Sequence, residues 1–348
     1  MRYFHNDYNR MCHPVILNKL IKMQGEAMPG YGTDTMCTQA SERIKKLCQC
    51  DDLSVHFLCG GTQANLTVIA AALRPHQAAV CALTGHINVH ETGAIEATGH
   101  KVIGLPSENG KITAAQIQQL ALSHLEDSDR EHTAQPKLVY ISNSTELGSI
   151  YTREELEALS VTCKKYGYYL FMDGARLGYA LAASDNDLTL PDIARLCDVF
   201  YIGLTKVGAM FGEAVVINNP ALNEDFRYLI KQRGGMLAKG WLLGLQFEAL
   251  FEEDIYFQIS KSADRFADQI RAVLTDLGYP MYISGTTNQI FPVLPDAVLS
   301  TLDKYITYMP MERIDQSHRA IRLCTSWATT QEDVDFLCQL FRNCGKYA

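Results

Sequence analysis

Three short segments of the chain carry residue types suited to binding or covalent chemistry. Gly60-Gly61-Thr62 lies between an apolar run and a helix-like stretch, and Asp173 and Lys206 each come soon after another apolar run. In open α/β sheets, ligand-binding groups collect at the carboxyl ends of the strands. We therefore expect these three segments to meet at one edge of a sheet.

The Gly61-Thr62 turn has the features of a phosphate-binding helix start. Free N–H groups and the positive end of the helix dipole attract phosphate, and small residues let it approach the backbone. The chain contains neither G-x-G-x-x-G nor G-x-x-x-x-G-K-[ST], which argues against the usual dinucleotide and P-loop sites. Taken alone, the turn is more typical of an ordinary strand-to-helix connection capped by Thr62 or Asn65.

Asp173 and Lys206 are unusual at the ends of apolar strands. A carboxylate at the edge of a core must be paired or hydrogen-bonded, and lysines normally lie on the surface. Desolvation lowers the pKa of an amine, which suits it to Schiff-base chemistry with a carbonyl. A phosphate turn, a strand-end carboxylate and a strand-end amine together match what pyridoxal phosphate (PLP) needs, an order known from one large class of PLP enzymes.

The elements around these segments alternate between strand and helix patterns up to about residue 220. Helices are predicted at 38–48, 64–73, 88–98, 112–125 and 153–166, and strands at 55–59, 79–83, 101–105, 137–142, 168–172, 198–202 and 213–217. Because the strands are nearly continuous apolar runs, they predict a mostly parallel sheet covered on both faces.

The pattern changes after Trp241. A long amphipathic stretch at 242–277 precedes predicted strands near 281–284, 288–293, 306–311 and 320–325 and a helix at 331–342. This α+β pattern predicts two domains, a large cofactor-binding domain with an N-terminal arm at 1–245 and a small C-terminal domain at 246–348.

Composition narrows the class of protein. The 348 residues include 31 Lys+Arg and 39 Asp+Glu, a net charge of −8, with 47% hydrophobic and 20% charged residues. These values are ordinary for a globular chain, and the negative charge argues against nucleic acid or an anionic membrane as a partner. No apolar run approaches the roughly 18 residues of a spanning helix, and the first residues do not resemble a signal peptide, so we expect a cytoplasmic protein. The 11 cysteines show no C-x₂-C pairs, and we expect most of them to be buried thiols.

Beyond these patterns, the chain resembles the threonine aldolase family, PLP enzymes of the aspartate aminotransferase fold (fold type I), from about Phe4 to Leu340. The resemblance rests on Phe4-x-x-Asp7 with His13-Pro14, Tyr31-Gly32-x-Asp34, Gly61-Thr62-x-Ala64-Asn65, His86, Thr145-Glu146-Leu147-Gly148, Asp173-Gly174-Ala175-Arg176-Leu177, Thr205-Lys206 and Arg322. The Asp-Gly-Ala-Arg-Leu run and the surroundings of the lysine are the most specific of these motifs.

The resemblance implies a role for each residue that binds the cofactor. Lys206 would bond to the cofactor aldehyde, and Asp173 would pair with the pyridine nitrogen. Gly61 and Thr62 would hold the phosphate, with the hydroxyl of Thr205 as a helper.

The resemblance also implies residues that act on the substrate. His86 would stack on the cofactor ring, and Arg176 and Arg322 would bind the substrate α-carboxylate. His132 aligns with a second active-site histidine. Asn6 stands where many members have a serine that contacts the carboxylate.

For a β-hydroxy amino acid, removal of the hydroxyl proton allows the Cα–Cβ bond to break, and a histidine suits that role. His86 and His132 are both candidates, and the sequence does not choose between them. His132 lies in a polar stretch where a surface histidine is equally typical. His86 and His90 have a spacing that two metal ligands could use, but no H-E-x-x-H pattern or third ligand is present, so we expect no metal.

The chain departs from the family at several positions. Thr205 replaces a common serine, and Ser142-Asn143 replaces a Glu-Asn pair. Leu237 stands where some members have a basic residue that reaches a neighbouring subunit's cofactor phosphate. Substitutes for that basic residue are Lys231, Arg233 and Lys239.

These observations predict a PLP-dependent aldehyde-lyase that cleaves L-threonine or L-allo-threonine to glycine and acetaldehyde with low specificity. The resemblance implies a homo-oligomer, either a dimer or a tetramer. The alternative enzyme is a PLP-dependent β-eliminating lyase acting on another amino acid. A binding protein that kept the fold without catalysis is a third hypothesis, and the presence of Lys206, Asp173 and Arg176 argues against it.

Overall fold

A computed structural model of the protein describes residues 1–345. Its strands are β1 (Arg2–Tyr3), β2 (Ser54–Leu58), β3 (Gln77–Ala82), β4 (Lys101–Leu105), β5 (Gln135–Ser142), β6 (Tyr169–Asp173), β7 (Val199–Gly203), β8 (Glu213–Ile217), β9 (Met281–Ile283), β10 (Gln289–Pro295), β11 (Ile306–Thr307), β12 (Met309–Arg313) and β13 (His318–Cys324).

Seven of these strands form the main sheet, in the spatial order β2-β8-β7-β6-β5-β3-β4. Strand β8 runs antiparallel to both of its neighbours, and the other neighbouring pairs are parallel. Every residue of β3, β7 and β8 is buried, as expected for strands covered on both faces. The predicted α/β fold with a mostly parallel sheet is confirmed.

Helices cover the sheet and extend beyond it. They are α1 (Pro14–Lys22), α2 (Thr35–Cys48), α3 (Gly61–Ala72), α4 (His86–Val89), α5 (Ala114–Glu126), α6 (Arg153–Tyr166), α7 (Leu177–Ala182), α8 (Leu190–Leu196), α9 (Phe226–Gln232), α10 (Trp241–Phe251), α11 (Ile255–Asp276), α12 (Asp296–Leu302) and α13 (Gln331–Cys344).

Helix α6 shows how local sequence sets these boundaries. Thr152 and Glu155 form a reciprocal capping box at its start. At its end, Gly167 adopts the left-handed conformation that favours glycine, with φ 68°. These signals explain why the predicted bounds, 153–166, are the observed ones.

A second, antiparallel sheet in the order β12-β13-β10-β9 lies in the C-terminal part of the chain. Residues of α11, α12 and α13 pack with it in a separate apolar cluster, which also includes Phe4. Strand β1 pairs with β11 in parallel, so the N-terminal segment is attached to the C-terminal part. The predicted domain boundary between residues 245 and 246 falls inside α10, and the division into two domains stays a prediction.

Two predicted helices are interrupted. In 88–98, Thr92 and Gly93 have positive φ values of 54° and 72°, and only short helical segments remain on either side. The amphipathic stretch at 242–277 breaks between α10 and α11, where Glu253 and Asp254 are also left-handed. Five short helices were not predicted, namely α1, α7, α8, α9 and α12. In residues 1–345, no helix has the length and apolar character needed to cross a bilayer.

Candidate active site

The predicted segments do meet at one edge of the main sheet. Asp173 is the last residue of β6, Lys206 follows the neighbouring strand β7 by three residues, and α3 begins at Gly61. Each of these positions lies at the carboxyl end of a strand or just beyond it. The charge of Asp173 acts on the amine of Lys206, which places the two side chains in one electrostatic environment.

Lys206 has an amine prepared for covalent chemistry. Burial and then the charge of Arg176 lower its pKa, against the opposing effects of Asp7, Asp173 and Glu213. Within residues 1–345, its Nζ atom has no hydrogen-bond or ion-pair partner. An amine in this state carries a nucleophilic lone pair in a larger fraction of molecules than a surface lysine does.

Asp173 is a buried carboxylate surrounded by donors. Oδ2 accepts hydrogen bonds from Tyr140 Oη at 2.5 Å and Asn65 Nδ2 at 3.2 Å, and Oδ1 accepts one from Ala175 N at 2.9 Å. Burial alone would raise the pKa of Asp173. The charge of His86 and the donated hydrogen bonds outweigh it, so the pKa is lowered and the group stays ionised.

His86 is held by a second carboxylate. Its Nδ1 lies 2.7 Å from Oε1 of Glu91, a buried residue, and the same oxygen accepts from Asn65 Nδ2 at 2.6 Å. Burial lowers the pKa of His86, but the hydrogen bond to Glu91 and the charge of Asp173 outweigh it, and the pKa is raised. Because Glu91 accepts a hydrogen from Nδ1, Nε2 is the ring nitrogen left for another partner.

The start of α3 provides free backbone donors. Gly60 caps the helix without a side-chain hydrogen bond, and Ala64 N is the first amide bonded back to Gly60. A Cβ atom on Gly61 would lie 2.9 Å from Tyr201 Oη, which explains why glycine is needed there. Thr62 is exposed beside it. The arrangement can bind a phosphate group.

Thr205 belongs to a separate set of hydrogen bonds. Its hydroxyl donates to Oε1 of Glu213 at 2.8 Å and accepts from Gly212 N at 3.1 Å. Burial raises the pKa of Glu213 to about 8. The hydroxyl predicted to help with phosphate binding is therefore already engaged by a buried acid next to Lys206.

Arg176 makes a buried ion pair. Its Nε and Nη2 atoms donate to the two carboxylate oxygens of Asp7 at 2.7 and 3.0 Å, and Asn288 Nδ2 donates to Oδ2 of Asp7 at 3.0 Å. The bidentate edge predicted to face a substrate carboxylate thus faces Asp7, and Nη1 is the remaining terminal nitrogen. Asn6 is adjacent in sequence, and its Oδ1 accepts from Tyr8 N at 3.2 Å.

Arg322 lies on β13 with a half-buried side chain. Its Nη1 is 3.4 Å from Gln289 Oε1, and its Nε has no hydrogen-bond partner within residues 1–345. Burial and then the charges of His86, Arg322 and Lys206 lower the pKa of His90, whose ring lies 5.6 Å from that of His86. Arg322 therefore belongs to the same electrostatic neighbourhood as the predicted lysine.

His132 is not brought to this group. It is exposed at the end of the helical turn Arg130–His132, and its backbone N–H donates to Asp129 O at 2.8 Å. In the described part of the chain, it has no hydrogen bond to another predicted site residue. Over the same residues, no cluster of three His, Cys, Asp or Glu side chains could hold a metal ion.

Several residues of the site were missed in the sequence. Tyr140 lies within an apolar strand and gave no polar signal there. Asn65 was expected at most as a helix cap, but it lies inside α3 and donates to Glu91 and to Asp173, which is 108 residues away in sequence. Glu213 did carry a signal, since it opens the buried strand β8 with an acid in an otherwise apolar run.

The chain is similar to several known proteins. The family model described as beta-eliminating lyase matches residues 17–296. A low-specificity L-threonine aldolase of a Pseudomonas species is 32% identical over 278 residues, covering 78% of each chain. A threonine aldolase structure from Leishmania major is 44% identical with a TM-score of 0.96, covering 99% of each chain. An aspartate aminotransferase of Thermus thermophilus, 14% identical with a TM-score of 0.71, covers 98% of this chain and 91% of its own and shows the fold alone.

Proposed function

The chain belongs to the beta-eliminating lyase family, and from this membership we propose that it cleaves L-threonine or L-allo-threonine to glycine and acetaldehyde with PLP. The observation that carries the proposal is the amine of Lys206, which has no partner among residues 1–345, in the same environment as the ionised carboxylate of Asp173. The relatives named as threonine aldolases support the choice of substrate.

The residues present fit PLP. The start of α3 offers amides to the phosphate, with Gly61 leaving room for close approach. Asp173 accepts hydrogen bonds from Tyr140, Asn65 and Ala175 and a further one from the hydroxyl of Tyr201, and its buried negative charge would attract a ring N–H. The amine of Lys206 is not engaged by any other described residue. When bound, PLP supplies an aldehyde carbon that amines attack and a protonated ring that accepts electron density.

The protein's own groups then orient and polarise the substrate. Lys206, with its lowered pKa, exchanges a proton at Nζ more readily than a solvated lysine does. Asp173 keeps a proton on the ring nitrogen. Arg322 and Nη1 of Arg176 would hold the α-carboxylate and so fix the orientation of the substrate at Cα.

We propose that His86, and not His132, accepts the proton of the substrate β-hydroxyl. Glu91 fixes the ring of His86 through Nδ1, so that Nε2 of the neutral form of His86 would accept the β-hydroxyl proton as the Cα–Cβ bond breaks and acetaldehyde leaves, with the electron pair left on Cα taken up by the bound cofactor. His132 has no comparable orienting contact in residues 1–345. Its role as a second active-site histidine stays a prediction.

We also propose a cytoplasmic homo-oligomer, a dimer or a tetramer, which contributes to threonine breakdown and glycine formation. Leu237 lines a cleft of about 210 Å³ together with Tyr31 and Arg227. Lys231 lies over the exposed ring of Tyr31 at 4.8 Å from its centroid, which makes Lys231 our choice for the basic residue that reaches a neighbouring subunit.

The experiment is an absorption spectrum of the purified protein with PLP, before and after addition of L-allo-threonine, with acetaldehyde assayed in the same sample. We expect a visible cofactor band and release of aldehyde and glycine in equal amounts. Lys206→Ala should lose the covalent band and nearly all turnover. If this variant kept full turnover, the assignment of Lys206 would be wrong.

The alternative is β-elimination from another amino acid, which the matching family model favours. The products separate the two reactions, since β-elimination releases ammonia and an oxo acid such as pyruvate. A cofactor band with these products in place of glycine and acetaldehyde would support the alternative.

A further inference from the structure

The buried hydroxyl of Tyr140 has no part in the chemistry described above, although it contacts the carboxylate of Asp173. We propose that Tyr140 is a positioning residue that stabilises Asp173 as an anion and thereby keeps the shared proton on the cofactor ring nitrogen. This inference rests on the proposed function, because it assumes that Asp173 faces that nitrogen.

The sheet register brings the two side chains together. Strands β5 and β6 pair with Ser142 opposite Asp173, and Tyr140 lies two residues before Ser142, on the same face of the sheet. Tyr140 Oη is 2.5 Å from Asp173 Oδ2. Tyr140 is only 1% exposed, so water does not compete for this contact.

The direction of the hydrogen bond follows from its neighbours. Ser142 Oγ lies 3.4 Å from Tyr140 Oη but only 2.8 Å from Oε1 of Glu146, to which it donates its one hydrogen, and an ionised carboxylate such as Asp173 can only accept. The phenol therefore donates its hydrogen to Asp173. Asn65, whose amide nitrogen also contacts Glu91, donates to the same oxygen, and the hydroxyl of Tyr201 is a further donor to the carboxylate.

The groups around Asp173 make the hydrogen bond from Tyr140 important for its charge. Asp173 is 4% exposed, and burial alone would favour its neutral form. Glu91 and Glu146 act on Tyr140 as further acids near the same pair, while His86 is the nearby group whose positive charge favours the anion. A hydrogen bond donated to the carboxylate shifts the balance toward the charged form.

The effect on the ring follows from comparing two positions of one proton. With the proton on the ring nitrogen, Asp173 is an anion and accepts strongly from Tyr140. With the proton on Asp173, the same hydrogen bond is weaker. Because hydrogen bonds to charged groups are the stronger ones, loss of the hydroxyl should reduce the ratio of the first form to the second by about 10-fold or more.

The test uses holoenzyme reconstituted with PLP labelled with ¹⁵N in the ring. The ¹⁵N chemical shift reports whether the ring nitrogen is protonated, and the low-field resonance of the N–H proton reports how basic its acceptor is. Tyr140→Phe removes one oxygen atom. Tyr151→Phe is the matched control, because Tyr151 is also 1% exposed but its hydroxyl accepts from Ile112 N at 2.8 Å.

In Tyr140→Phe, we expect the ¹⁵N resonance to move toward the neutral-pyridine position and the N–H proton to move downfield, with turnover lowered by about 10-fold. The Tyr151→Phe holoenzyme should give the wild-type spectrum. A Tyr140→Phe holoenzyme with both resonances unchanged would overturn the proposal, even if its turnover fell. Equal shifts in both variants would also overturn it.

Two further variants keep the test decisive. Asn65→Ala removes another donor to Asp173 and should shift both resonances in the same direction, which provides the readout if Tyr140→Phe does not fold. Asp173→Asn tests the underlying assignment. If Asp173→Asn left the ring resonances unchanged, Asp173 would not be the ring partner, and the proposed function rather than the role of Tyr140 would need revision.

Discussion

The buried ion pair between Asp7 and Arg176 offers a sharp test of how the site is held together. Asp7→Asn keeps the size of the side chain but removes its charge, which leaves the guanidinium of Arg176 buried without a counter-charge. Both residues are nearly inaccessible, at 1% and 8% exposure. We expect the free energy of unfolding to fall by about 3–5 kcal/mol, the usual loss when one partner of a buried pair is removed.

The geometry supports this magnitude. Two parallel hydrogen bonds, at 2.7 and 3.0 Å, bring the two charges to a separation of about 4 Å. With an effective dielectric constant of about 20, their attraction is about 4 kcal/mol. Asn288 donates a third hydrogen bond to Asp7, and the neutral amide of the Asp7→Asn variant would accept it less strongly than the carboxylate does. The measurement is urea unfolding of the holoprotein, followed by circular dichroism.

The loss of stability in Asp7→Asn must also depend on pH in a defined direction. Burial would raise the pKa of Asp7, but the charges of Arg176 and Lys206 and the hydrogen bonds from Arg176 and Asn288 outweigh it, so the folded-state pKa lies below the ordinary value of 3.8. The stabilisation is therefore complete above the unfolded-state pKa and is lost as the pH falls through the lower, folded-state pKa. The difference between wild type and Asp7→Asn should shrink as the pH is lowered below about 4.

The exposed pair of Asp296 and Arg313, with side chains 46% and 43% exposed, gives a matched control. Asp296→Asn should change stability far less, because solvent screens that pair. The reasoning would be refuted if Asp7→Asn cost no more than Asp296→Asn, or if its cost were the same at pH 3 and pH 7.

Two further predictions concern other contacts of the site. Gly61→Ala places a methyl group 2.9 Å from the buried hydroxyl of Tyr201, so urea unfolding should show that the free energy of unfolding falls by about 1–3 kcal/mol. The double variant with Tyr201→Phe should recover most of this loss. A Gly61→Ala protein as stable as wild type would contradict the proposed steric role. Burial raises the pKa of Glu213 from 4.5 to about 8, so between these pH values the folded protein holds a proton that the unfolded chain releases. The contribution of this residue to the free energy of unfolding therefore falls by up to about 5 kcal/mol as the pH rises from about 4.5 to about 8. Glu213→Gln cannot titrate and should lose less stability between pH 5 and pH 8.5, and parallel pH profiles for the two proteins would argue against this pKa.

Much of the fold could be predicted because its signals are local. Helix α6 has its cap, its apolar face and its terminal glycine within a stretch of sixteen residues, 152–167. Strands β3, β7 and β8 are apolar runs that only a doubly covered sheet accommodates. The break at Glu253 was missed, because a left-handed residue other than glycine or asparagine leaves little trace in the sequence.

For the site too, the features with local sequence signals were predicted and the long-range contacts were not. The placement of Asp173 and Lys206 at one edge of the sheet was foreseen, since residues that follow parallel strands gather there regardless of the loops between them. The partners of these residues were not foreseen. Arg176 was expected to offer its bidentate edge to a substrate, but that edge faces Asp7, 169 residues away in sequence.

The sequence by itself determined the fold class and the edge of the sheet where the chemistry lies, because periodicity and strand-end residues are local properties of the chain, and the family followed from the resemblance of its motifs to known enzymes. Only the tertiary structure decided which side chains hold Asp173, His86 and Arg176. Those contacts depend on sheet register and on the relative positions of different segments, which must be correct to a few tenths of an ångström for a hydrogen bond to form. Charge and hydrogen bonding at that range determine which groups are ionised, and thus which chemistry the site can perform.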